Sequence, residues 1–211
     1  NAHVHARQMA TIDELLGDVK GLRIAEVGCG TGRVCVHLAK RGATCIGWDF
    51  APKTVEAARR HAEEEGASAS FHVGDVLSPL RGELESFDVV MTLGCLTLAC
   101  KNADDFETAL DNLQALGQPD ARYLFLEPIH QSRLLRRILR MGMSEWIDRC
   151  ELRGMSLVQR GGVCFVPSRI ALAYRELPRW LVEPVFGAGE QVLDLHPALE
   201  PLADYKYLLF Q

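Results

Sequence analysis

LRIAEVGCGTG, residues 22–32, is the stretch of this sequence that decides the fold. Its first six residues are mostly apolar and predict a short buried strand, and the glycines at alternate positions after it predict a tight turn. Because glycine has no Cβ, such a turn can adopt positive φ and come close to a ligand. A helix is predicted over residues 31–40, and the backbone N–H groups at its start favour a polar or anionic ligand group beside the turn.

Apolar strand-like segments alternate with amphipathic helical segments along most of the chain. The predicted strands cover 22–27, 44–48, 70–73, 87–93, 122–126 and 205–210, with further candidate strand segments at 156–159 and 163–166. The predicted helices cover 8–19, 31–40, 52–65 and 103–116, and a long basic helix is expected from 131, broken or relaxed near Gly142. This alternation predicts right-handed βαβ units and a doubly wound, mostly parallel sheet of the α/β class.

The length of 211 residues predicts a single domain over 1–211. Residues 1–20 are expected to form an N-terminal helical cover. The region 167–201 contains five of the nine prolines together with several aromatic side chains, and it precedes the last strand. A connection of this length is more typical of a functional cover than of a plain loop, so we expect a partly helical insert over the acceptor site.

Composition argues against several classes of protein. The net charge of −5 disfavours a nucleic-acid binder that neutralises phosphates. A run of about 18 apolar residues, which a membrane span requires, does not occur, and the first residues lack the apolar core of a secretory signal. The seven cysteines include no CxxC pair, which favours reduced thiols in a cytoplasmic protein over disulfides or a zinc site.

Acidic residues follow or end three of the predicted strands. In a doubly wound sheet, ligands bind at the carboxyl ends of the strands, and Glu26, Asp49 and Asp75 all fall there. Asp49 lies about 20 residues beyond the glycine turn, where a carboxylate can accept hydrogen bonds from both hydroxyls of a ribose. That position is shared by dinucleotide enzymes and adenosyl-cofactor enzymes, so it does not distinguish the two.

Four motifs in order resemble those of class I S-adenosylmethionine-dependent methyltransferases. They are EVGCGTG at 26–32, GWDFAP at 47–52, GDV at 74–76 and FDVV at 87–90. The resemblance covers roughly residues 20 to 130 and looks closest to the small-molecule branch that includes quinone and specialised-metabolite enzymes. It implies S-adenosylmethionine as cofactor, and a Rossmann-like sheet of seven strands, mostly parallel with an antiparallel last strand.

The resemblance also implies the residues that contact the cofactor. Glu26 would lie near the methionine amino group, Asp49 would bind the ribose, and Asp75 would meet the adenine amino group. The full set implied is Glu26, Gly28, Cys29, Gly30, Asp49, Phe50, Asp75, Val76, Leu93 and Gly94. No feature requires a metal.

The acceptor side gives weaker signals. His130, just after the fifth strand, is the best candidate for a general base, because imidazole titrates near neutral pH; a capping or surface histidine is the alternative. Glu127 could orient His130 or bind the acceptor, but it could equally pair with Arg133 or Arg136. The remaining candidates are Cys95 and Thr97 as lining residues, and Tyr174 and Trp180 as apolar contacts.

The sequence therefore predicts in-line transfer of a sulfonium methyl group to oxygen, nitrogen or carbon of a small, apolar or aromatic acceptor. Thr92-Leu93-Gly94-Cys95 differs from the Asn/Asp-Pro-Pro-Tyr/Phe pattern of nucleic-acid amino methylases. A nicotinamide oxidoreductase should show GxGxxG, whereas position 33 here is Arg. A protein or nucleic-acid methyltransferase and a non-catalytic nucleoside-binding protein of the same fold remain alternatives.

Overall fold

The described residues form a seven-stranded sheet in the order β3-β2-β1-β4-β5-β7-β6. This computed structural model describes residues 2–80, 87–129, 139–166 and 179–211. Strands β1 to β5 pair in parallel, while β7 runs antiparallel to both of its neighbours, β5 and β6. The predicted fold class, a Rossmann-like and mostly parallel sheet with an antiparallel last strand, is confirmed.

The element bounds follow the sequence pattern closely in the first half of the chain. The strands are β1 Arg23–Val27, β2 Thr44–Asp49, β3 Ala69–Val73, β4 Phe87–Leu93, β5 Gly117–Glu127, β6 Leu157–Phe165 and β7 Ala203–Phe210. The helices are α1 Ala2–Leu16, α2 Arg33–Lys40, α3 Pro52–Glu64, α4 Leu96–Ala99, α5 Ala103–Gln114, α6 Met143–Glu151 and α7 Arg179–Leu195, with a 3₁₀ helix at Pro197–Leu202.

Two apolar clusters lie on opposite faces of the sheet, because alternate side chains of a strand point to opposite sides. Within β1, Ile24 belongs to the cluster that also contains side chains of α1, α2, α3 and α7. Its neighbour Ala25 belongs to the second cluster, with side chains of α5 and α6. Helices therefore cover both faces of the sheet. The carboxyl ends of the parallel strands are then the place where a ligand is expected to bind.

Two predicted helices have different bounds in the structure. Helix α1 ends at Leu16 rather than at Val19, because Gly17 adopts φ +67° and its N–H bonds back to the Asp13 carbonyl. The basic helix expected from 131 falls mostly on 130–138, outside the described residues. The break expected near Gly142 does lie in a described range: Gly142 is extended, and a separate helix, α6, begins after it.

The late strands also differ from their predicted form. The two candidate segments 156–159 and 163–166 are one continuous strand, β6. It contains Gly161, over which the ring of Tyr207 packs so closely that a Cβ would clash. Strand β5 begins at Gly117, five residues before the predicted start at 122.

The expected cover before the last strand is helical where it is described. Helix α7 and the 3₁₀ helix occupy most of 179–202, whereas 167–178 lie outside the described residues. Helix α1 packs its apolar side chains into the same cluster as Phe186 of α7. The division into one domain with an N-terminal cover and a 167–201 insert stays a prediction. In the described ranges, no helix is long and apolar enough to cross a lipid bilayer.

Candidate active site at the carboxyl edge of the sheet

The glycine turn after β1 has the backbone that only glycine adopts easily. Its three glycines have φ values of +79°, +53° and +76°, at Gly28, Gly30 and Gly32. The N–H groups of Gly28 and Cys29 both donate to the Trp48 carbonyl, at 2.7 and 2.9 Å. A Cβ on Gly28 would lie 2.6 Å from the Cys95 Sγ. Gly28 is thus required by its conformation and by the close approach of the loop after β4.

Asp49 ends β2 directly beside this turn. It is 9% exposed, and its two oxygens accept hydrogen bonds from different backbone N–H groups. Oδ2 accepts from Gly30 and Oδ1 from Ala51, each at 3.0 Å. A carboxylate oxygen can accept more than one hydrogen bond, so Asp49 retains acceptor capacity for a ligand while its orientation is fixed.

A cavity of about 560 Å³ lies at the point where the strand order reverses between β1 and β4. This is the ligand position expected of a doubly wound sheet. The cavity brings together six of the predicted cofactor residues, namely Gly28, Asp49, Phe50, Asp75, Val76 and Gly94, and also the predicted lining residue Cys95. Their roles toward a ligand stay predictions.

Other lining residues were not predicted from the sequence. They are Val27, Gly74, Leu77, Leu98, Ala99 and Lys101. The last three lie on or just after α4, a four-residue helix that begins three residues beyond β4. The sequence did predict that Cys95, at the start of this segment, lines the cavity. It did not predict α4, because a helix of four residues is too short to show a helical period of apolar side chains.

The far wall of the cavity is formed by the β3 end. Asp75 is exposed, and its Oδ1 accepts from the Leu77 N–H at 3.0 Å, which fixes the carboxylate in a local turn. Val76 beside it is buried. Across the cavity, Phe50 is 77% exposed at the rim. An exposed aromatic ring next to two carboxylates offers both a stacking surface and polar acceptors to a nucleoside.

Charge in the cavity is predominantly negative. Asp49 and Asp75 line it, and Lys101 is the cation among the lining residues. Glu26 lies close enough for an electrostatic interaction with Asp49. The field therefore favours a ligand that carries positive charge over one that carries a pyrophosphate.

Glu26 lies in β1, beneath the glycine turn, and is outside the cavity lining. Its side chain is fully buried and accepts from the Cys35 N–H, in the first turn of α2, at 3.1 Å. Burial raises the pKa of its carboxyl to about 7, an effect that the hydrogen bonds from Cys35 oppose. The predicted contacts Cys29, Gly30 and Leu93 likewise do not line the cavity in the described structure.

Glu127 is wholly enclosed, and both of its oxygens are used within the protein. Oε1 accepts from the Thr92 hydroxyl and from the N–H groups of Cys95 and Leu96, at 2.8, 2.9 and 3.1 Å. Oε2 accepts from the hydroxyl and the N–H of Thr97, at 3.0 and 3.3 Å. Burial raises the pKa of this carboxyl, and the hydrogen bonds oppose the shift. The geometry supports a positioning role for Glu127, with Thr97 buried beside it rather than lining the cavity.

The remaining acceptor-side candidates divide into two groups. His130, Arg133, Arg136 and Tyr174 lie outside the described residues. Trp180 is 74% exposed on α7. Within the described ranges, no group of three or more side chains is arranged to hold a metal ion. The metal-free chemistry stays a prediction.

The seven cysteines, all in described ranges, are free thiols. Six of them are buried, and Cys95 is mostly buried with part of its surface exposed. Burial, with Glu127 as the next cause, raises the pKa of its thiol well above the ordinary value. Cys95 therefore remains protonated at neutral pH and provides a neutral wall to the cavity rather than a thiolate nucleophile.

Comparison with known proteins agrees with this geometry. The chain is 40% identical over 78 residues to the ubiquinone biosynthesis O-methyltransferase of Methylocella silvestris, and 37% identical over 86 residues to the magnesium-protoporphyrin O-methyltransferase of Rhodobacter capsulatus. These alignments cover 37% and 40% of this chain but only 30% and 37% of the two relatives, so the chain matches about a third of their length.

A solved structure shares the fold over nearly the whole chain. The magnesium protoporphyrin IX methyltransferase from Synechocystis PCC 6803, with bound SAH, superposes with a TM-score of 0.68. The superposition covers 98% of this chain and 82% of that one at 17% identity, a likeness that concerns the fold. Residues 24–120 match the methyltransferase domain family. Together with the strand order and the glycine and acidic residues at the cavity, this match shows that the chain is similar to methyltransferases over 97 of its 211 residues.

Proposed function

We propose that this protein binds S-adenosylmethionine in the cavity at the β1–β4 switch point and transfers its methyl group to a small, apolar or aromatic acceptor. The observation that carries the proposal is the fixed Asp49 carboxylate between the glycine turn and the exposed ring of Phe50. In this arrangement Asp49 accepts hydrogen bonds from the ribose hydroxyls, and Asp75 accepts one from the adenine amino group. Phe50 stacks on the base.

Charge favours this cofactor over a nicotinamide dinucleotide. S-adenosylmethionine carries a sulfonium and an ammonium group, whereas NADH carries a pyrophosphate. The two lining carboxylates outnumber the lining lysine, so the cavity favours the former over the latter. The evenly spaced glycines at 28, 30 and 32 agree with this choice.

The reaction is an in-line displacement at the methyl carbon. The bond from sulfur to the methyl carbon breaks as the bond from the acceptor's oxygen, nitrogen or carbon forms, and the electron pair stays on sulfur as the neutral thioether. The sulfonium already activates the methyl, so the protein contributes chiefly by alignment and by excluding water. Where the acceptor must lose a proton, His130 is our candidate base.

Calorimetric titration tests the cofactor assignment. We expect binding of S-adenosylmethionine and S-adenosylhomocysteine, no binding of NADH, and a loss of about 10- to 100-fold in adenosyl affinity for Asp49→Ala, since hydrogen bonds to a charged group contribute about 1.5–3 kcal/mol. Asp49→Asn, which keeps one acceptor oxygen, should fall between that variant and the wild type.

Asp88→Asn is the matched control. Asp88 lies at the opposite edge of the sheet, where its oxygens accept from the Arg23 N–H and the Gln118 side chain, each at 2.8 Å. This variant should bind adenosyl ligands like the wild type. Binding of NADH alone, or an unchanged affinity in Asp49→Ala, would contradict the proposal.

The class of acceptor is tested separately with labelled methyl groups. The named relatives act, by their names, in ubiquinone biosynthesis and on magnesium-protoporphyrin, which supports testing hydroxylated aromatic compounds and tetrapyrrole carboxylic acids first. We expect label in a small molecule and none in added RNA, DNA or protein. Label in any of these macromolecules, with none in the small molecules, would favour the alternative substrate classes.

A further inference from the structure

Tyr205 lies at the same edge of the sheet as the cavity, although no motif points to it. Strand β7 is antiparallel, so its first residues lie where the parallel strands end. Lys206 pairs with Glu127, the last residue of β5, and Tyr205 is one position further toward the edge, opposite Val163 of β6. The topology thus brings a phenol next to the loop that follows β4.

The Tyr205 hydroxyl approaches the cavity wall directly. A Cβ built on Gly94 would lie 3.7 Å from the Tyr205 Cε1 and 3.8 Å from its hydroxyl oxygen. Gly94 lines the cavity and adopts φ +64°. The Tyr205 hydroxyl therefore lies next to Gly94, which has no side chain to keep it from the cavity.

Packing fixes the ring of Tyr205 and leaves its hydroxyl available. The half-buried ring packs against the apolar cluster on the face of the sheet that α1, α2 and α3 also cover. In the parts of the chain that the structure describes, the hydroxyl makes no hydrogen bond. A tyrosine held in this way normally finds a polar partner for its hydroxyl, and a ligand can supply one.

We propose that the Tyr205 hydroxyl binds the acceptor, through a hydrogen bond to a hydroxyl group of an aromatic substrate that lies beside Gly94. The inference rests on the proposed function and deepens it. It assigns acceptor recognition to a residue of the last strand, next to Gly94 in the wall of the adenosyl cavity. It also specifies the substrate class as a hydroxylated aromatic molecule.

Tyr207 provides a matched control on the same strand. It lies two residues further on, so its side chain points to the same face of the sheet. Its hydroxyl, however, packs over Gly161 of the edge strand β6, away from Gly94. Replacing either tyrosine by phenylalanine removes one hydroxyl and preserves the ring packing.

The test uses 4-nitrocatechol, a dihydroxylated aromatic probe whose absorbance reports ionisation, added to the full chain saturated with S-adenosylhomocysteine. We expect Tyr205→Phe to bind the probe about 10-fold more weakly than the wild type, as loss of one hydrogen bond predicts. Tyr207→Phe should stay within twofold of the wild type. Nitrobenzene, which has no hydroxyl group, should bind both tyrosine variants and the wild type equally.

Each outcome bears on the inference. Equal affinity of the wild type and Tyr205→Phe for 4-nitrocatechol, or no binding of the probe to the wild type, overturns it. So does an equal loss of nitrobenzene binding, which would indicate disturbed packing instead of a lost hydrogen bond. Calorimetry with S-adenosylhomocysteine is done first: if that ligand does not bind the wild type, the proposed function fails as well, whereas normal binding confines a failure to Tyr205.

Discussion

At the scale of single residues, Glu26 is a buried carboxyl group whose charge state changes between the unfolded and the folded protein. Burial raises the pKa of its carboxyl from about 4.5 to about 7 in the folded protein. Between these two values the folded state holds a proton that the unfolded chain has released. The free energy of unfolding therefore falls as the pH rises through this window, and the loss is complete above pH 7.

Glu26→Gln removes this loss, because the amide is neutral at every pH and its oxygen can still accept from the Cys35 N–H. We expect the variant to exceed the wild type in stability at pH 8 by up to about 3 kcal/mol, because the wild type must there ionise a carboxyl group whose pKa burial raises to about 7. The difference should disappear near pH 4.5. Urea denaturation at pH 4.5, 6 and 8 measures it, and a difference that does not change with pH would contradict the argument.

At the scale of elements, the five parallel strands could be predicted because each combines an apolar run with a glycine or acidic residue at its end. Helix α4 could not, since four residues carry no helical period. The end of α1 was misplaced because Gly17 and Gly21 both offer a C-cap, and only contacts in the fold decide between them. The same holds for the site: the motifs indicated Asp49 and Asp75, while Lys101 and Leu98 reach the cavity only through α4.

Glu127 explains how so short a helix is held in place. An isolated helix of four residues is unstable in water, and three successive N–H groups at this helix start donate to one carboxylate from β5. That carboxylate is fully buried. It thereby fixes the path of Gly94 and Cys95, which form one wall of the cavity.

Glu127→Gln should disturb both the fold and the cavity. The amide keeps the shape but replaces one acceptor oxygen by a donor that faces other donors. We expect a loss of about 2–4 kcal/mol in stability and a several-fold weaker affinity for S-adenosylhomocysteine, as buried unpaired donors cost about 1–3 kcal/mol each. Thr92→Val, which removes a single hydroxyl from the same carboxylate, should cost less in both measurements. Full stability and affinity with turnover alone lost would instead indicate that Glu127 takes part in the chemistry.

At the scale of the whole molecule, Glu190 joins three elements that are distant in sequence. It lies on α7, and its Oε2 accepts from the Arg7 Nε of α1 at 2.9 Å and from the Cys164 N–H of β6 at 3.2 Å. Its Oε1 accepts from the Phe165 N–H at 3.1 Å. Cys164 has φ +64°, a conformation unfavourable for a side-chain-bearing residue. No local pattern in the sequence indicates such a connection, because it depends on contacts across 183 positions.

Removal of the Glu190 carboxylate should lower the free energy of unfolding more than removal of its Arg7 partner alone. Glu190→Ala leaves two backbone N–H groups and the Arg7 guanidinium without their acceptor, so we expect a loss of about 2–4 kcal/mol. Arg7→Ala leaves the two backbone hydrogen bonds intact and should cost about 1 kcal/mol, in the range of a partly exposed ion pair. Since Arg7 also lies near Glu14, at 3.6 Å, Glu14→Ala is the control for that second contact. In the Glu190→Ala background, the cost of Arg7→Ala should fall to what the contact with Glu14 contributes, because Glu190 is already gone. Urea denaturation of the wild type, the two single variants and the double variant measures this coupling. Strictly additive losses would show that Glu190 holds β6 to α7 without involving α1.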